Sequence, residues 1–284
     1  MKELPSQTPA KVSPWPATEK MAFWHFRAAP RIITGDCMQT DSPDISVVIP
    51  VLDERENLEL LLPSLHQVIC ELGLAAEILV VDGGSIDGSQ RVAHRLGARV
   101  IPQQERGYGG ALLAGFAAAA APYLVTMDAD LSHQPVFLKD FWQQRSEAEV
   151  LIASRYVKGG KADMGAVRHL LSHILNRTYS LVLGLPLRDL SSGFRMYQGN
   201  VLASLDLQAR DFDVQEEILV KLHVQRCRIK EVPFHYRARK AGKSHVKLLR
   251  FGWAFSRTLF RMRRLRNSTI SDQEDKPSTT AEPS

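Results

Sequence analysis

Five short apolar runs, at residues 45–51, 77–82, 99–102, 123–128 and 150–154, alternate with segments of helical spacing. This alternation leaves very few folds open. The runs are too short for helices and apolar throughout, as strands covered on both faces are. Between them, residues 58–72 repeat with helical period, with Pro63 as a local kink or boundary. Asp87 is placed to cap a helix running to Leu96, and the Ala-rich stretch 107–121 reads as a further helix. Strand–helix–strand order with buried strands predicts an α/β fold, a single mainly parallel sheet with helices on both faces. Ligands of such sheets bind beyond the carboxyl ends of the strands. The polar residues gather there: Asp53 and Glu54, Asp82, Asp128 and Asp130, Ser154 and Arg155.

The remaining segments read as additions to one domain, 45–245. Residues 1–44 carry Pro5, Pro9, Pro14, Pro16 and Pro30 without a sustained period, and read as a partly disordered extension. Its Phe23, Trp24 and Phe26, among basic residues, either tuck against the domain or touch a membrane. Residues 269–284 form a polar, acidic tail that reads as disordered. Of a net charge of +5, residues 237–268 hold eleven Lys/Arg and no Asp/Glu, so the remainder is net acidic. Such a segment suits an anionic partner: a nucleotide, a phospholipid or a nucleic acid. The composition, 44% hydrophobic and 24% charged, excludes a collagen-like or mostly disordered chain. The apolar run 112–125 is broken by Gly115 and Pro122 and falls short of the ~18 residues of a membrane span. The first residues lack a signal peptide's apolar stretch, which predicts no export. Cys37, Cys70 and Cys227 form no CxxC pair, which predicts neither a disulfide framework nor a zinc site, in a reducing compartment.

Asp128-Ala129-Asp130 follows an apolar run. At a strand's period of two, both carboxylates point to one side, where they repel unless a cation or protons neutralise them. Mg²⁺ or Mn²⁺ does so and leaves positions for phosphate oxygens. The plainer alternative is a pair of solvated acids or a helix cap. The Asp82-Gly83-Gly84-Ser85 junction is either a tight turn close to a ligand or a simple turn before a helix capped by Asp87. The glycines at 107, 109 and 110 come too late for a dinucleotide loop and read as a helix start that approaches a ligand. His66, His94 and His223 lack ligand spacing and read as ordinary polar positions. No G-x-S-x-G, H-E-x-x-H or P-loop pattern is present.

Six motifs in fixed order resemble the family 2 glycosyltransferases, in particular their dolichol-phosphate (polyprenyl-phosphate) mannosyltransferase branch. They are Pro50-Val51-Leu52-Asp53-Glu54, Val81-Asp82-Gly83-Gly84-Ser85, Asp128-Ala129-Asp130-Leu131-Ser132-His133, Ser154-Arg155-Tyr156, Ser192-Gly193-Phe194-Arg195, and Arg239 to His245, the last resembling R-x-x-G-x-S-K. The resemblance spans residues 45–245 and implies a GT-A fold and inverting transfer of a hexose, mannose or glucose, from GDP-mannose or UDP-glucose to a polyprenyl or dolichyl phosphate. It implies that Pro50, Leu52, Glu54, Val81, Asp82, Gly83, Asp128, Ala129 and Asp130 bind the nucleotide-sugar. It implies Mg²⁺ or Mn²⁺ on Asp128 and Asp130 with Ser132 alongside, and Asp130, Arg155 and Arg239 as catalytic. The acceptor phosphate falls to Arg155, Arg168, Ser172, Arg239 and His245. Arg168, Ser172 and Asn176 match an R-x-x-x-S-x-x-x-N pattern, whose spacing puts them on one helical face.

Three positions depart from the family pattern. Leu52 stands for a tyrosine, Gly83 for a second aspartate that contacts the nucleoside in relatives, and His245 for a lysine. Glu217 is either a surface acid or the counterpart of an acidic family position. An acceptor phosphate is already anionic and needs no base. A sugar-hydroxyl acceptor, the alternative within this fold, needs one, with Asp189 or Glu217 as candidates. From other classes come a catalytically silent nucleotide-sugar or lipid-binding protein and a nicotinamide oxidoreductase; the intact DxD argues against the first and the misplaced glycines against the second. Nucleic acid is not among the partners the resemblance implies.

A lipid acceptor requires a route to the bilayer. In residues 246–268, Leu248, Phe251, Phe255, Leu259 and Met262 share one helical face, with Lys247, Arg250, Arg257, Arg261 and Arg264 on the other. This basic amphipathic helix either lies in an anionic interface or packs its apolar stripe on the domain. The expectation is a cytoplasmic protein held peripherally on the cytoplasmic face of a membrane, by this helix, the aromatic stretch or a membrane-protein partner.

Overall fold

The computed structural model describes residues 42–237, 258–264 and 266–267. Arg239, His245 and the greater part of both terminal segments lie outside the described residues. In chain order the elements are β1 (Ile45–Val51), α1 (Arg55–Glu71), β2 (Ala76–Asp82), α2 (Ser89–Arg95), β3 (Arg99–Pro102), α3 (Tyr108–Ala118) and β4 (Tyr123–Thr126). A short 3₁₀ turn (Pro135–Phe137) leads into α4 (Leu138–Gln144) and β5 (Val150–Ser154). Then come β6 (Lys161–Ala162), α5 (Ala166–Leu183), β7 (Arg195–Gln198), α6 (Gly199–Ala203), α7 (Val214–Val224), β8 (Ile229–Pro233) and β9 (His235–Tyr236).

Seven strands form one sheet in the order β3-β2-β1-β4-β7-β5-β8. All neighbours run parallel except β7, which is antiparallel to both β4 and β5. The sheet has a separate core on each face. Val47, Ile49 and Val51 of β1 and Ile78 and Val80 of β2 join the cluster built with α1, while Val48, Leu79 and Val81 join the one built with α3, α5 and α7. Strand periodicity divides them: odd and even positions serve opposite faces, so both must be apolar. Gly115 lets α3 sit down on β1, since a Cβ there would come within 2.2 Å of Val48. Pro63 lies inside α1 without ending it.

β4 ends at Thr126, so Asp128 and Asp130 stand in a loop, not on a strand. The shared-side expectation from strand period therefore fails. Asp128 is half-exposed, Asp130 is buried, and Leu131 between Asp130 and Ser132 takes a left-handed φ of 64°. Cys227 is free and half-buried, whereas Cys70 is disulfide-bonded, which corrects the expectation of unpaired thiols.

Candidate active site

The loops after β1, β2, β3, β4 and β5 share one edge of the sheet because these strands are parallel. β7 runs the other way, so its leading loop, Ser192-Gly193-Phe194, reaches that same edge between β4 and β5. The sequence order of the motifs gives no hint of this interleaving.

The first two loops brace each other. Asp53, at a positive φ of 54°, takes the Ile86 amide on Oδ1 (2.9 Å), and its own amide donates to Ser85 Oγ (2.9 Å). Glu54 N donates to Ser89 Oγ, and Arg55 N to Asp87 Oδ2. Asp87 thus joins two loops; the N-cap of α2 is Gly88, with no side-chain cap. Asp82 is buried at the end of β2, and its Oδ2 accepts from Gly84 N, Ser85 N and Gln90 Nε2. Burial pushes its pKa up, but hydrogen bonds from Ser85, Gln90 and Gly84 outweigh it and the net shift is downward, favouring the carboxylate. Its Oδ1 is buried and has no hydrogen-bond partner among the described residues. Pro50 is half-buried and Leu52 is 61% exposed, whereas Val81 is fully enclosed.

The DxD loop is held from three directions. Asp130 Oδ1 accepts from Ser132 N (3.0 Å) and Ser132 Oγ (2.5 Å), an Asx turn that fixes the carboxylate. The Asp128 amide donates to His133 Nδ1 at 2.9 Å, so the imidazole accepts on Nδ1 and carries its proton on Nε2 in the neutral form. His133 in turn stacks on Phe194 at 4.9 Å, within a cluster of Phe137, Phe141 and Phe234. Tyr108 Oη donates to Asp128 Oδ1 at 3.3 Å and accepts from Gln215 Nε2 at 3.0 Å. Burial first, then the Asp128 charge, pushes the Tyr108 phenol well above its usual value, so it remains a donor. Tyr108, His133 and Gln215 escaped the sequence reading as site residues. Tyr108 sits among the glycines already singled out, and His133 closes the DxD motif.

Those glycines approach protein, not an open cleft. A Cβ on Gly107 or Gly109 would meet the Arg210 backbone at 2.3 and 2.6 Å, and one on Gly110 the Glu105 carbonyl at 2.1 Å. The small residues of this helix start admit the 209–213 loop, while Tyr108 between them reaches Asp128.

Arg155 follows β5. Its Nε and Nη2 donate to the two carboxylate oxygens of fully buried Asp189 at 2.7 and 2.6 Å, and Nη2 also reaches Ser191 Oγ at 2.8 Å. Burial alone would lower its pKa, but the Asp189 hydrogen bonds and charge raise it further, so it is cationic at any working pH. No hydrogen bond of Nη1 occurs among the described residues. On α5, Asn176 is buried and turns away from solvent: its Oδ1 accepts from Leu190 N and Ser191 N, and its Nδ2 donates to Ser191 Oγ. It is a fastener for the 189–191 loop. Exposed Arg168 and half-buried Ser172 remain on α5, whose His169 and His173 touch the Tyr156 ring.

Asp189 is committed to Arg155, and Glu217 is fully enclosed, accepting from Gln208 N, Ala209 N and Lys221 Nζ. Neither is placed to act as a base. Arg195 is also entirely buried, donating to carbonyls of Ser192, Leu190 and Gln215, so it shapes the loop beside Asp128. Among the described residues no three His, Cys, Asp or Glu side chains converge. A hard divalent ion that takes one or two carboxylates, and completes its shell with phosphate oxygens and water, fits what is present: one half-exposed carboxylate beside one held rigid by a hydroxyl.

Residues 46–205 match glycosyl transferase family 2. The chain is 32% identical over 212 residues to the dolichol-phosphate mannosyltransferase of Pyrococcus furiosus, covering 72% of this chain and 59% of that protein. The chain belongs to glycosyl transferase family 2. It is also 32% identical over 215 residues to the undecaprenyl-phosphate mannosyltransferase of Micrococcus luteus, covering 71% of this chain and 87% of that one. Among solved structures, glucosyl-3-phosphoglycerate synthase of Mycobacterium tuberculosis, in complex with Mn²⁺, UDP and glucosyl-3-phosphoglycerate, superimposes with a TM-score of 0.62 at 22% identity, covering 92% of this chain and 88% of that chain. The GT-A fold expected from the family motifs is the fold observed.

Proposed function

We propose that this family 2 member transfers a hexose, mannose or glucose, with inversion from a nucleotide-sugar to a polyprenyl phosphate. The observation that carries this reading is the pairing of an exposed-edge DxD loop with an arginine held rigid and cationic by Asp189, in a site whose candidate bases are both engaged elsewhere. The names of the two mannosyltransferase relatives point the same way.

The loops after β1 and β2 receive the nucleoside: Leu52 and Gly83 offer surface, Asp82 and Glu54 offer carboxylates, and Pro50, Val81 and Ala129 shape the backbone around it. Asp128 and Asp130, with Ser132, hold Mg²⁺ or Mn²⁺, which offsets the negative charge developing on the leaving nucleoside diphosphate. Arg155 directs Nη1 toward the acceptor phosphate, and Arg168 and Ser172 approach it from α5; Arg239 and His245 complete this group. One phosphate oxygen, already anionic, forms the new bond to the anomeric carbon from the side opposite the diphosphate. The bond to the diphosphate oxygen breaks, and the nucleoside diphosphate departs with its electron pair. No proton is removed, so positioning supplies the catalysis.

No helix among the described residues is long and apolar enough to cross a membrane. The surface for a lipid is on α5, where Val167, Leu170, Leu171 and Ile174 are exposed at spacings of three and four, beside Arg168. We place the protein peripherally on the cytoplasmic face of an anionic membrane with this helix against the lipid. The decisive experiment supplies radiolabelled GDP-mannose, UDP-glucose or UDP-N-acetylglucosamine with polyprenyl phosphate and Mn²⁺, and extracts lipid. Label in a sugar-phosphate lipid is expected with one hexose donor. Label that enters only free sugar or oligosaccharide acceptors would transfer the reading to hydroxyl glycosylation.

A further inference from the structure

A line of side-chain hydrogen bonds runs from the buried guanidinium of Arg195 to the first carboxylate of the DxD loop. Arg195 Nη1 donates to the Gln215 carbonyl at 2.9 Å, and its Nη2 makes a longer contact to Gln215 Oε1 at 3.5 Å. Gln215 Nε2 donates to Tyr108 Oη at 3.0 Å, and the phenol gives its one proton to Asp128 Oδ1 at 3.3 Å. Both ends fix the direction: a guanidinium only donates and a carboxylate only accepts, so every bond in the line points toward Asp128. The meeting point is closed on the side of Gly193, where a Cβ would stand 2.9 Å from Tyr108 Oη, 3.0 Å from Gln215 Nε2 and 3.5 Å from Asp128 Oδ1. The Tyr108 ring is itself held by Phe212, stacked at 4.8 Å and 14°. Gly107 and Gly109 make that stack possible by admitting the backbone of Arg210.

We propose that Tyr108 is a positioning residue for Asp128: its hydroxyl, oriented by Gln215, holds Oδ1 so that the carboxylate meets a divalent cation already in place. The proposal rests on the donor-site reading above, in which Asp128 and Asp130 hold Mg²⁺ or Mn²⁺. Asp130 has its own brace in Ser132. Asp128 is half-exposed, and its Oδ2 stands 3.8 Å from His133 Nε2, beyond hydrogen-bond reach. Among the described residues the phenol is therefore what restrains this carboxylate. A carboxylate offers about four lone-pair sites, so one hydrogen bond on Oδ1 fixes its rotation and leaves capacity for a cation. Partners that orient a ligating carboxylate in this way raise metal affinity by roughly 10–100-fold. A tyrosine that only fills space would need neither its hydroxyl nor the Gln215 amide.

The test titrates Mn²⁺ into the full chain by electron paramagnetic resonance, with GDP and then with UDP in excess, and a thermal melt shows that each variant is folded. Tyr108→Phe keeps the ring and its stack on Phe212 and removes the hydroxyl. Mn²⁺ affinity should fall roughly tenfold. Gln215→Met leaves the ring and hydroxyl in place and should weaken Mn²⁺ binding less. In the Tyr108→Phe background Gln215→Met should cause no further loss, because Gln215 acts on Asp128 only through the phenol. A Tyr108 that serves packing alone predicts unchanged Mn²⁺ affinity in Tyr108→Phe, whatever its melting temperature. That result, or losses at the two positions that add, overturns the proposal while the donor-site reading stands. If wild type binds Mn²⁺ with neither nucleotide, the donor-site reading fails and the proposal fails with it.

Discussion

Asp130 is buried, and its Oδ1 accepts from the amide and hydroxyl of Ser132. Asp130→Asn retains an oxygen for that turn and removes the charge. Turnover should therefore drop on the order of ~10²-fold with the melting temperature little changed, and excess chelator should reproduce the loss in wild type. Glu216 differs in kind: buried on α7, its Oε2 has no hydrogen-bond partner among the described residues. Burial pushes its carboxyl up to about 7, opposed by the Arg195 charge. A carboxyl whose folded pKa lies above its unfolded one takes up protons on folding. Its contribution is therefore complete below about 4.5 and lost as pH rises toward about 7. Glu216→Gln should flatten the fall in melting temperature between pH 5 and pH 8 and be the more stable protein at pH 8. Parallel melting curves for the two proteins across that range would show that the side chain ionises at its ordinary pKa.

Among the elements, α5 has two unlike sides, with Val167, Leu170, Leu171 and Ile174 exposed on the outer one. Its inner side carries Asn176, which fastens Leu190 and Ser191 and so steadies the Asp189 that grips Arg155. Asn176→Ala leaves those two amides unpaired in the interior and should cost about 2–4 kcal/mol of stability. Because the same loop orients Arg155, the variant should raise KM for the lipid acceptor while nucleotide affinity stays near wild type. Equal losses for donor and acceptor would assign Asn176 to folding alone. The arrangement also explains why the R-x-x-x-S-x-x-x-N spacing was only partly informative. Period marked a shared stripe, but the third residue points into the loop and the first to solvent.

For the molecule as a whole, the open question of attachment divides between α5 and the basic C-terminal helix. Residues 258–264 are helical and sit on the domain: Met262 is buried, Leu259 packs beside it, and Arg261 pairs with Asp213 at 2.7 Å. This part of the amphipathic segment spends its apolar stripe on the protein, the second of the two uses foreseen for it. The exposed apolar residues of α5 are spent on nothing within the described residues. Cosedimentation with phosphatidylglycerol vesicles should therefore fall severalfold in Leu170→Glu with Ile174→Glu. Arg257, Arg261 and Arg264 changed to Gln should weaken binding less, mainly by its salt dependence. A triple change that releases the protein while the α5 change does not would reverse this assignment.

Periodicity, strand shortness and the polar residues after each strand determined the layered α/β architecture and the edge at which the polar motif residues gather, since these follow from local sterics and from which face is buried. The motif residues were legible for the same reason: Asp82 ends β2, and Asp128, Asp130 and Arg155 lie in the loops that follow β4 and β5. Only the tertiary structure decided what each one faces. Asp189 and Glu217 look alike as acids in the sequence, yet one locks Arg155 and the other binds backbone amides from Gln208 and Ala209. Tyr108, His133 and Gln215 reach the DxD loop from positions that no period connects, and Gln103 meets Gly83 because β2 and β3 end side by side. Spacing along a chain fixes which side of an element a residue occupies. Partners across a sheet edge are set by strand order, and here an antiparallel strand inserted between two parallel ones made that order invisible until the chain had folded.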